Sequence, residues 1–438
     1  MKKRIWFSSI RFVLCTLVVF SLFTLSSCSP IAVPIKEDLA IDSTLPIDTL
    51  LDLHTTAQST GGCDMQLLID GPVSRQAYTA LIQSATETLN VEMWDIDDDT
   101  DKPEDIGQEF VDLLSEKARQ GVTVNLIIDP VAQKGYSRRE LMTLLKAAGV
   151  NVRGFMPPLT KILGDQILYR THKKFAIADG KLAILGGMNF GFHYLGENQW
   201  RDTNVQITGP AVADLQRVFI RDWAALGTPV EKEARYFPTL EPTGNFSVRI
   251  VDQNPTRNEF DLNETVRIAL RCAKEHVDIE APYFNPPAWL SDEIIGAVNR
   301  GVRVRILTNS EESNDVPSMF YITASYFQEL IDAGVEIYLW SLPERTIHSK
   351  AMTADDKFAF ISSYNFNYRS IVWDSEIAAV FTDPDPVARI QKMIDDDLSR
   401  EFITPVTQAW IDSQSQEQID RWNFTRNLNL IMKKPEGQ

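Results

Sequence analysis

The sequence predicts two α/β sandwich halves related by a pseudo-twofold axis, each a parallel or mixed sheet covered by helices. Three observations predict it. The body of the chain repeats itself, each copy alternates short β-rich runs with amphipathic helical stretches, and one short polar motif occurs once in each copy. LNVEMWDI (Leu89 to Ile96) has its counterpart in VDIEAPYF (Val277 to Phe284). KARQGVTVNLIID (Lys117 to Asp129) matches AVNRGVRVRILTN (Ala297 to Asn309), and LLKAAGVNV (Leu144 to Val152) matches ELIDAGVEI (Glu329 to Ile337). The motif His-x-Lys-x4-Asp then follows in the same relative place, as His172, Lys174, Asp179 and as His348, Lys350, Asp355. With lysine and aspartate each near 6% of ordinary sequences, a given histidine matches by chance roughly once in 300 times. Two matches among five histidines therefore mark a duplicated functional element.

Residues 1–27 have a basic start and an apolar run from Phe12 to Leu25, the length of a secretory leader and too short for a membrane span. Leu25-Ser26-Ser27-Cys28 resembles the bacterial lipoprotein box, in which the chain is cut before the cysteine and that cysteine carries the lipid. Residues 28–63, rich in Ser, Thr, Pro and Asp, read as a tether; as a flexible coil of about 34 residues it would reach roughly 30 Å. The expectation is a body on the exported side of a bacterial envelope, lipid-anchored at Cys28. Ser29 points to the outer membrane where the cell has two.

The formal charge is −17, and losing the four basic residues of the leader takes it to −21. Affinity for nucleic acid rests on neutralising phosphates with a basic face, so the balance argues against that partner. Of the remaining cysteines, Cys63 and Cys272 lack zinc-site spacing. Cys272 sits in the helical pattern ETVRIALRCAKEH and reads as a buried thiol in preference to a disulfide partner of Cys63.

The first half is expected over 64–235, with Glu109 to Gln120 helical and VTVNLIID a buried strand after the turn at Gly121. Thr228 to Asn245, with three prolines, is the candidate linker. The second half is expected over 236–405, although Ile250 to Glu264 fits no pattern, and residues 406–438 read as a terminal helix or tail. PYFNPPAWL (Pro282 to Leu290) and SMFYITASYF (Ser318 to Phe327) fit either an acyl channel or ordinary core.

Two histidines supply what phosphoryl transfer requires: a nitrogen nucleophile for phosphorus and an acid for the leaving oxygen. Lys174 and Lys350, two residues along an extended chain, project to the same side as their histidines and suit charge gathering on phosphate oxygens. Gly186 and Gly187 allow close backbone approach, and Asn189 offers an amide. The second copy has Ser362 and Ser363 in place of the glycines and keeps Asn365. Asp202 of WRDTNVQI lies about as far beyond His172 as Glu376 of WDSEIAAV lies beyond His348, and both suit carboxylates that orient an imidazole. Asp179 and Asp355 fit either a chemical role or the closing of a turn. His54, His193 and His276 read as ordinary.

The doubled motif with GGMN and SSYN behind it resembles the phospholipase D superfamily over about residues 64 to 403. THKKFAIADGKLAILGGMNFGFHYLG, WRDTNVQITGPAV and HSKAMTADDKFAFISSYNFNYRS are most similar to bacterial cardiolipin synthases. The resemblance implies a two-step reaction through a phosphohistidine, with His172 as nucleophile and His348 as general acid, then base. It gives Lys174, Lys350, Asn189 and Asn365 to the phosphate, and calls for no metal or cofactor. A phosphatidyl group would pass between phosphatidylglycerol molecules with release of glycerol, so the expected partner is a phospholipid. Such synthases commonly begin with transmembrane helices, where this chain begins like a lipoprotein. Water as acceptor would make the enzyme a phospholipase giving phosphatidic acid. A nuclease and a non-catalytic envelope protein are the remaining readings, and the sequence leaves the oligomeric state open.

Overall fold

The structure, a computed structural model, describes residue 35 and residues 41–132, 138–155, 169–230 and 233–431. Cys28 and the leader lie outside them.

The first half runs β1 (Ser59–Ile69), α2 (Gly71–Ser84), β2 (Thr88–Met93), α3 (Ile106–Arg119), β3 (Thr123–Ile128), α4 (Arg138–Ala147), β4 (Asn151–Gly154), β5 (Arg170–Thr171), β6 (Phe175–Ala178), β7 (Leu182–Gly186), α5 (Phe192–Leu195), β8 (Thr203–Thr208) and α6 (Val212–Ala225), preceded by a short helix α1 (Ile47–His54). Strands β2, β3 and β4 are parallel, as their crossover helices require. The sheet continues antiparallel through β6, β7, β8 and β1.

The second half repeats this plan: β9 (Phe246–Asn254), β10 (Glu259–Phe260), α7 (Asp261–Cys272), β11 (His276–Glu280), α8 (Ala288–Asn299), β12 (Arg303–Asn309), α9 (Pro317–Ala324), α10 (Phe327–Asp332), β13 (Glu336–Trp340), β14 (Ala351–Ala354), β15 (Phe358–Ser362), α11 (Tyr368–Val372), β16 (Asp374–Phe381), α12 (Pro384–Leu398), β17 (Ile403–Val406), α13 (Gln408–Asp412) and α14 (Gln416–Ile431). Strands β11, β12 and β13 are parallel, and β14, β15, β16 and β9 extend them antiparallel. Strand β1 pairs with β8 through its later residues and with β9 through its earlier ones, so the two sheets meet along it.

A shared core fixes the halves against each other. Phe175, Leu185 and Val205 of the first sheet pack in one cluster with Ala351, Ile361 and Ala379 of the second, closed by Phe219 of α6 and Ile390 of α12. These side chains are almost wholly buried, and each large one contributes about 1.5–3 kcal/mol.

Two expectations need correction. The tether does not extend to residue 63: α1 buries Leu50 and Leu51 in the second half's core, and its Asp48 and Asp52 each ion-pair with buried Arg249 at 2.7 Å. The Ser/Thr/Pro/Asp composition concealed that two adjacent leucines suffice for a short amphipathic turn. Ile250 to Glu264, where no pattern was legible, contains most of β9 and the start of α7; β9 is buried on both faces and so shows no alternation. The terminal helix expected after residue 406 is α14, docked through Trp422, which is buried against Phe320 and Phe327. SMFYITASYF is therefore core beneath that helix. Cys63 and Cys272 are both free thiols.

Candidate active site

The backbone crosses the pseudo-twofold axis twice. Thr171 pairs in parallel with Ser375 of β16, and the His172 N–H donates to the Ser375 carbonyl at 2.8 Å. In the same way Ile347 bridges Arg201, and the His348 N–H donates to the Arg201 carbonyl at 2.6 Å. Each motif thus hangs on a strand of the opposite half.

The carboxylates cross with it. His172 Nδ1 lies 3.1 Å from both oxygens of Glu376 and 3.0 Å from the carbonyl oxygen of Ser363. His348 Nδ1 lies 2.7 Å from Asp202 Oδ2. Each carboxylate orients the histidine of the other copy. Because a carbonyl only accepts, the Ser363 contact makes His172 Nδ1 the N–H donor and leaves Nε2 with the free lone pair.

The glycine–serine difference between copies follows from the carboxylates. A Cβ on Gly187 would stand 2.3 Å from Asp202 Oδ1, so only glycine lets the short aspartate reach. At the equivalent place Ser363 Oγ donates to the longer Glu376 at 2.5 Å.

Lys174 and Lys350 are buried beside their histidines. Lys174 Nζ donates to the His172 carbonyl at 2.7 Å. Lys350 Nζ lies 2.8 Å and 3.1 Å from the two ring nitrogens of His348. Asn189 is buried with its Oδ1 accepting from the Asp95 N–H at 3.2 Å. Asn365 is buried too, and its Oδ1 has no hydrogen-bond partner among the described residues.

Asp179 and Asp355 do not join this group. Asp179 accepts from the backbone N–H groups of Thr86, Glu87 and Thr88 and from the Thr86 hydroxyl. Asp355 accepts from those of Lys274, Glu275 and His276. Both sit at positive φ past the far ends of β6 and β14, about 20 Å of extended chain from their histidines. There they close the turns entering β2 and β11, so the catalytic assignment is replaced by a structural one.

Burial first, then the charges of Lys174, Lys350 and Arg369, holds His172 well below the usual imidazole range. It is neutral at pH 7, the state in which an imidazole nitrogen can attack. Burial brings Lys174 down to about 7 and Lys350 to about 8, against the pull of nearby carboxylates. It also raises Glu376 to about 7 and Asp202 to about 6, opposed by the same lysines. Sites that perform proton transfer show such clustered displacements.

Of the aromatic walls, sequence reasoning singled out only the segment that carries Tyr283, PYFNPPAWL, and missed Trp94, Tyr194 and Trp200. The Trp94 ring stands edge-on to His172 at 5.4 Å. Tyr194, Trp200 and Tyr283 surround His348 at 5.2, 5.4 and 6.1 Å. Trp94 and Tyr283 lie just past the carboxyl ends of β2 and β11, where α/β sheets place ligands, and that was the available signal. Among the described residues no cluster of His, Cys, Asp and Glu is arranged to hold a metal ion, and no helix is long and apolar enough to cross a membrane.

Two duplicated α/β halves with a histidine–lysine pair from each at a common axis define a phospholipase D-type architecture. The chain matches the family described as "Cardiolipin synthase, PLD-like domain" over residues 78–223 and 266–398, and belongs to it. It is 28% identical over 363 residues to a cardiolipin synthase of Listeria monocytogenes serotype 4a, covering 81% of this chain and 73% of that protein. With a cardiolipin synthase of Oceanobacillus iheyensis the identity is 30% over 357 residues, covering 80% and 71%. Among solved structures, the phosphatidylserine synthase of Haemophilus influenzae Rd KW20 shares the fold with a TM-score of 0.64 at 17% identity, covering 84% of this chain and 94% of the other.

Proposed function

We propose that this chain is a membrane-attached phosphatidyltransferase, cardiolipin synthase-like, that acts on phosphatidylglycerol through a phosphohistidine. The observation that carries the reading is the crossed pair His172–Glu376 and His348–Asp202, which gives one ring a free Nε2 and the other a carboxylate that stabilises its charged form.

In the first step His172 Nε2 attacks phosphorus and the bond to the glycerol headgroup breaks. His348 gives its proton to the departing oxygen, and free glycerol leaves. In the second step a hydroxyl of another phosphatidylglycerol headgroup attacks the phosphohistidine while His348 takes its proton. The P–N bond breaks and cardiolipin is released. Lys174 and Lys350 hold the non-bridging oxygens as charge gathers, with the Asn365 amide beside them. The aromatic walls favour an alcohol over water by drying the space around both rings. Attachment through lipid at Cys28 would hold the body against its substrate.

The test uses the full chain and a His172→Ala version on phosphatidylglycerol vesicles, with products identified by mass spectrometry. Cardiolipin and glycerol, both lost in the variant, are expected. Phosphatidic acid as the main product would replace the transferase with a hydrolase, and an unaffected variant would remove the phosphohistidine.

A further inference from the structure

Behind each histidine motif, on the face away from the site, lies a second buried charge cluster. In extended chain, Thr171 and Lys173 project opposite to His172 and Lys174. Lys173 is fully buried and ion-pairs with Asp222 of α6 at 2.5 Å and with Asp252 of β9. Arg257 joins the same two aspartates at 2.6 and 2.8 Å. Thr171 Oγ1 donates to buried Glu92 of β2 at 2.5 Å. Lys173 therefore ties the first motif to a strand of the second half.

The other half has the same acids in equivalent places. Glu280 of β11 corresponds to Glu92 by the repeat, and Asp397 of α12 corresponds to Asp222; both are buried. The motif residue equivalent to Lys173 is Ser349, which carries no charge. The cation comes instead from Arg201, just before β8, whose backbone bridges Ile347 beside the motif and whose side chain pairs with Asp397 at 2.5 Å. Its guanidinium also donates to the Asp202 carbonyl at 2.8 Å and to Thr203 Oγ1 at 2.7 Å. Arg201 thus fixes both the carbonyl that receives the His348 N–H and the residue whose carboxylate orients that ring.

For the first motif the residue equivalent to Arg201 is Ser375 of the second half, since the carbonyls of Ser375 and Arg201 accept from His172 and His348 respectively. Ser375 is fully buried, and its Oγ has no hydrogen-bond partner among the described residues. Its parallel register with Thr171 puts it on the same side as Thr171 and Lys173, facing the acid cluster. We propose that Lys173 and Arg201 are equivalent positioning residues. Each is a buried cation that locks one histidine motif to the opposite half, carried by the motif in one copy and by its partner strand in the other.

This rests on the reading of His172 and His348 as the reacting pair, which His172→Ala tests separately. The experiment moves the first cation to the position used in the second copy: Lys173→Ser, and Lys173→Ser with Ser375→Arg, in the full chain. Initial rates and their pH profile are measured on phosphatidylglycerol vesicles and on bis(4-nitrophenyl) phosphate, which probes the histidines without the lipid. A ring displaced by a fraction of an ångström loses up to about 100-fold in kcat. The single variant is expected to lose that with KM nearly unchanged and its pH profile shifted. The double variant is expected to recover to within about tenfold of the parent with the parental profile. A single variant with parental kcat, or a folded double variant no better than the single, overturns the proposal. Should the single variant not fold, the double decides alone: folded and active supports the relocation, while unfolded or inactive overturns it. If His172→Ala retains the rate on both substrates, the reaction reading has failed and not this one.

Discussion

Replacing Glu376 by glutamine isolates the charge behind the nucleophile. His172 Nδ1 has two kinds of acceptor, the Glu376 carboxylate at 3.1 Å and the Ser363 carbonyl at 3.0 Å. Glutamine keeps the size of the side chain and removes the charge, while the carbonyl continues to hold the proton on Nδ1. A tautomer flip, which costs about 10,000-fold where a lone aspartate sets the ring, is therefore not expected. What is lost is one buried charge-assisted hydrogen bond to a ring that becomes cationic when phosphorylated, worth about 1.5–3 kcal/mol. That corresponds to roughly a 10- to 150-fold fall in kcat. The assay is the initial rate of phosphatidylglycerol turnover at pH 7, with lipid products quantified by mass spectrometry and KM measured alongside. A variant within threefold of the parent would refute a cationic intermediate at His172. A loss beyond 10,000-fold would refute the carbonyl as keeper of the tautomer.

Three further outcomes follow from the site. The rate should fall on the alkaline side as pH passes from about 7 to about 8, because the phosphate-binding forms of Lys174 and Lys350 are the protonated ones. A kcat/KM profile level to pH 9.5 would exclude them from that role. Gly187→Ala, whose Cβ would stand 2.3 Å from Asp202 Oδ1, should lose about 100-fold in kcat while melting cooperatively near the parental temperature. Asp179→Ala should behave oppositely. It leaves the N–H groups of Thr86, Glu87 and Thr88 without their acceptor, costing about 1–3 kcal/mol of stability, yet kcat should hold; a collapse of kcat in a protein of parental stability would restore the aspartate to the chemistry.

How much of this was legible depended on whether a residue's role is local or requires a neighbour from elsewhere in the chain. The strands VTVNLIID and its copy, the repeat and both His-x-Lys elements announce themselves by period and spacing, and the fold class with the two histidine–lysine pairs was readable from them. Asp202 and Glu376 were readable as orienting carboxylates, because similar spacing in two copies is itself a signal. Their partners were open until the strands were seen to cross the axis. Asp179 sits inside the most specific motif of the chain, yet spacing carried no information about which end of β6 it would occupy. Trp94, Tyr194, Trp200 and Arg201 were silent for a similar reason: a tryptophan, a tyrosine or an arginine near a strand is common, and only the assembled sheets aim it at a histidine, while PYFNPPAWL with its Tyr283 drew notice without a direction. The short helix at Ile47–His54 was lost to composition, since its anchor, Arg249, lies 200 residues away.

The crossing also bears on why two near-identical motifs would do different work. Had each carboxylate served its own copy, the two histidines would have equivalent surroundings and each half could carry a complete ring–carboxylate pair alone. With the partners exchanged, neither ring is oriented until the halves are joined, and the shared core of Phe175, Leu185, Ile361 and Ala379 becomes a requirement of the chemistry. The exchange further lets small differences accumulate without loss of either pair. Glycine at 187 admits an aspartate, and serine at 363 supports a glutamate and turns its carbonyl onto His172. Burial and the nearby cations keep the ring neutral against the pull of that carbonyl, and the carbonyl contact holds the proton on Nδ1 and leaves Nε2 free. His348, by contrast, faces Asp202 at 2.7 Å and is walled by three aromatic side chains. On the proposed reading, the division into attacking base and proton carrier thus traces to residues 187 and 363, two positions at which the duplicated sequence stopped being a duplicate.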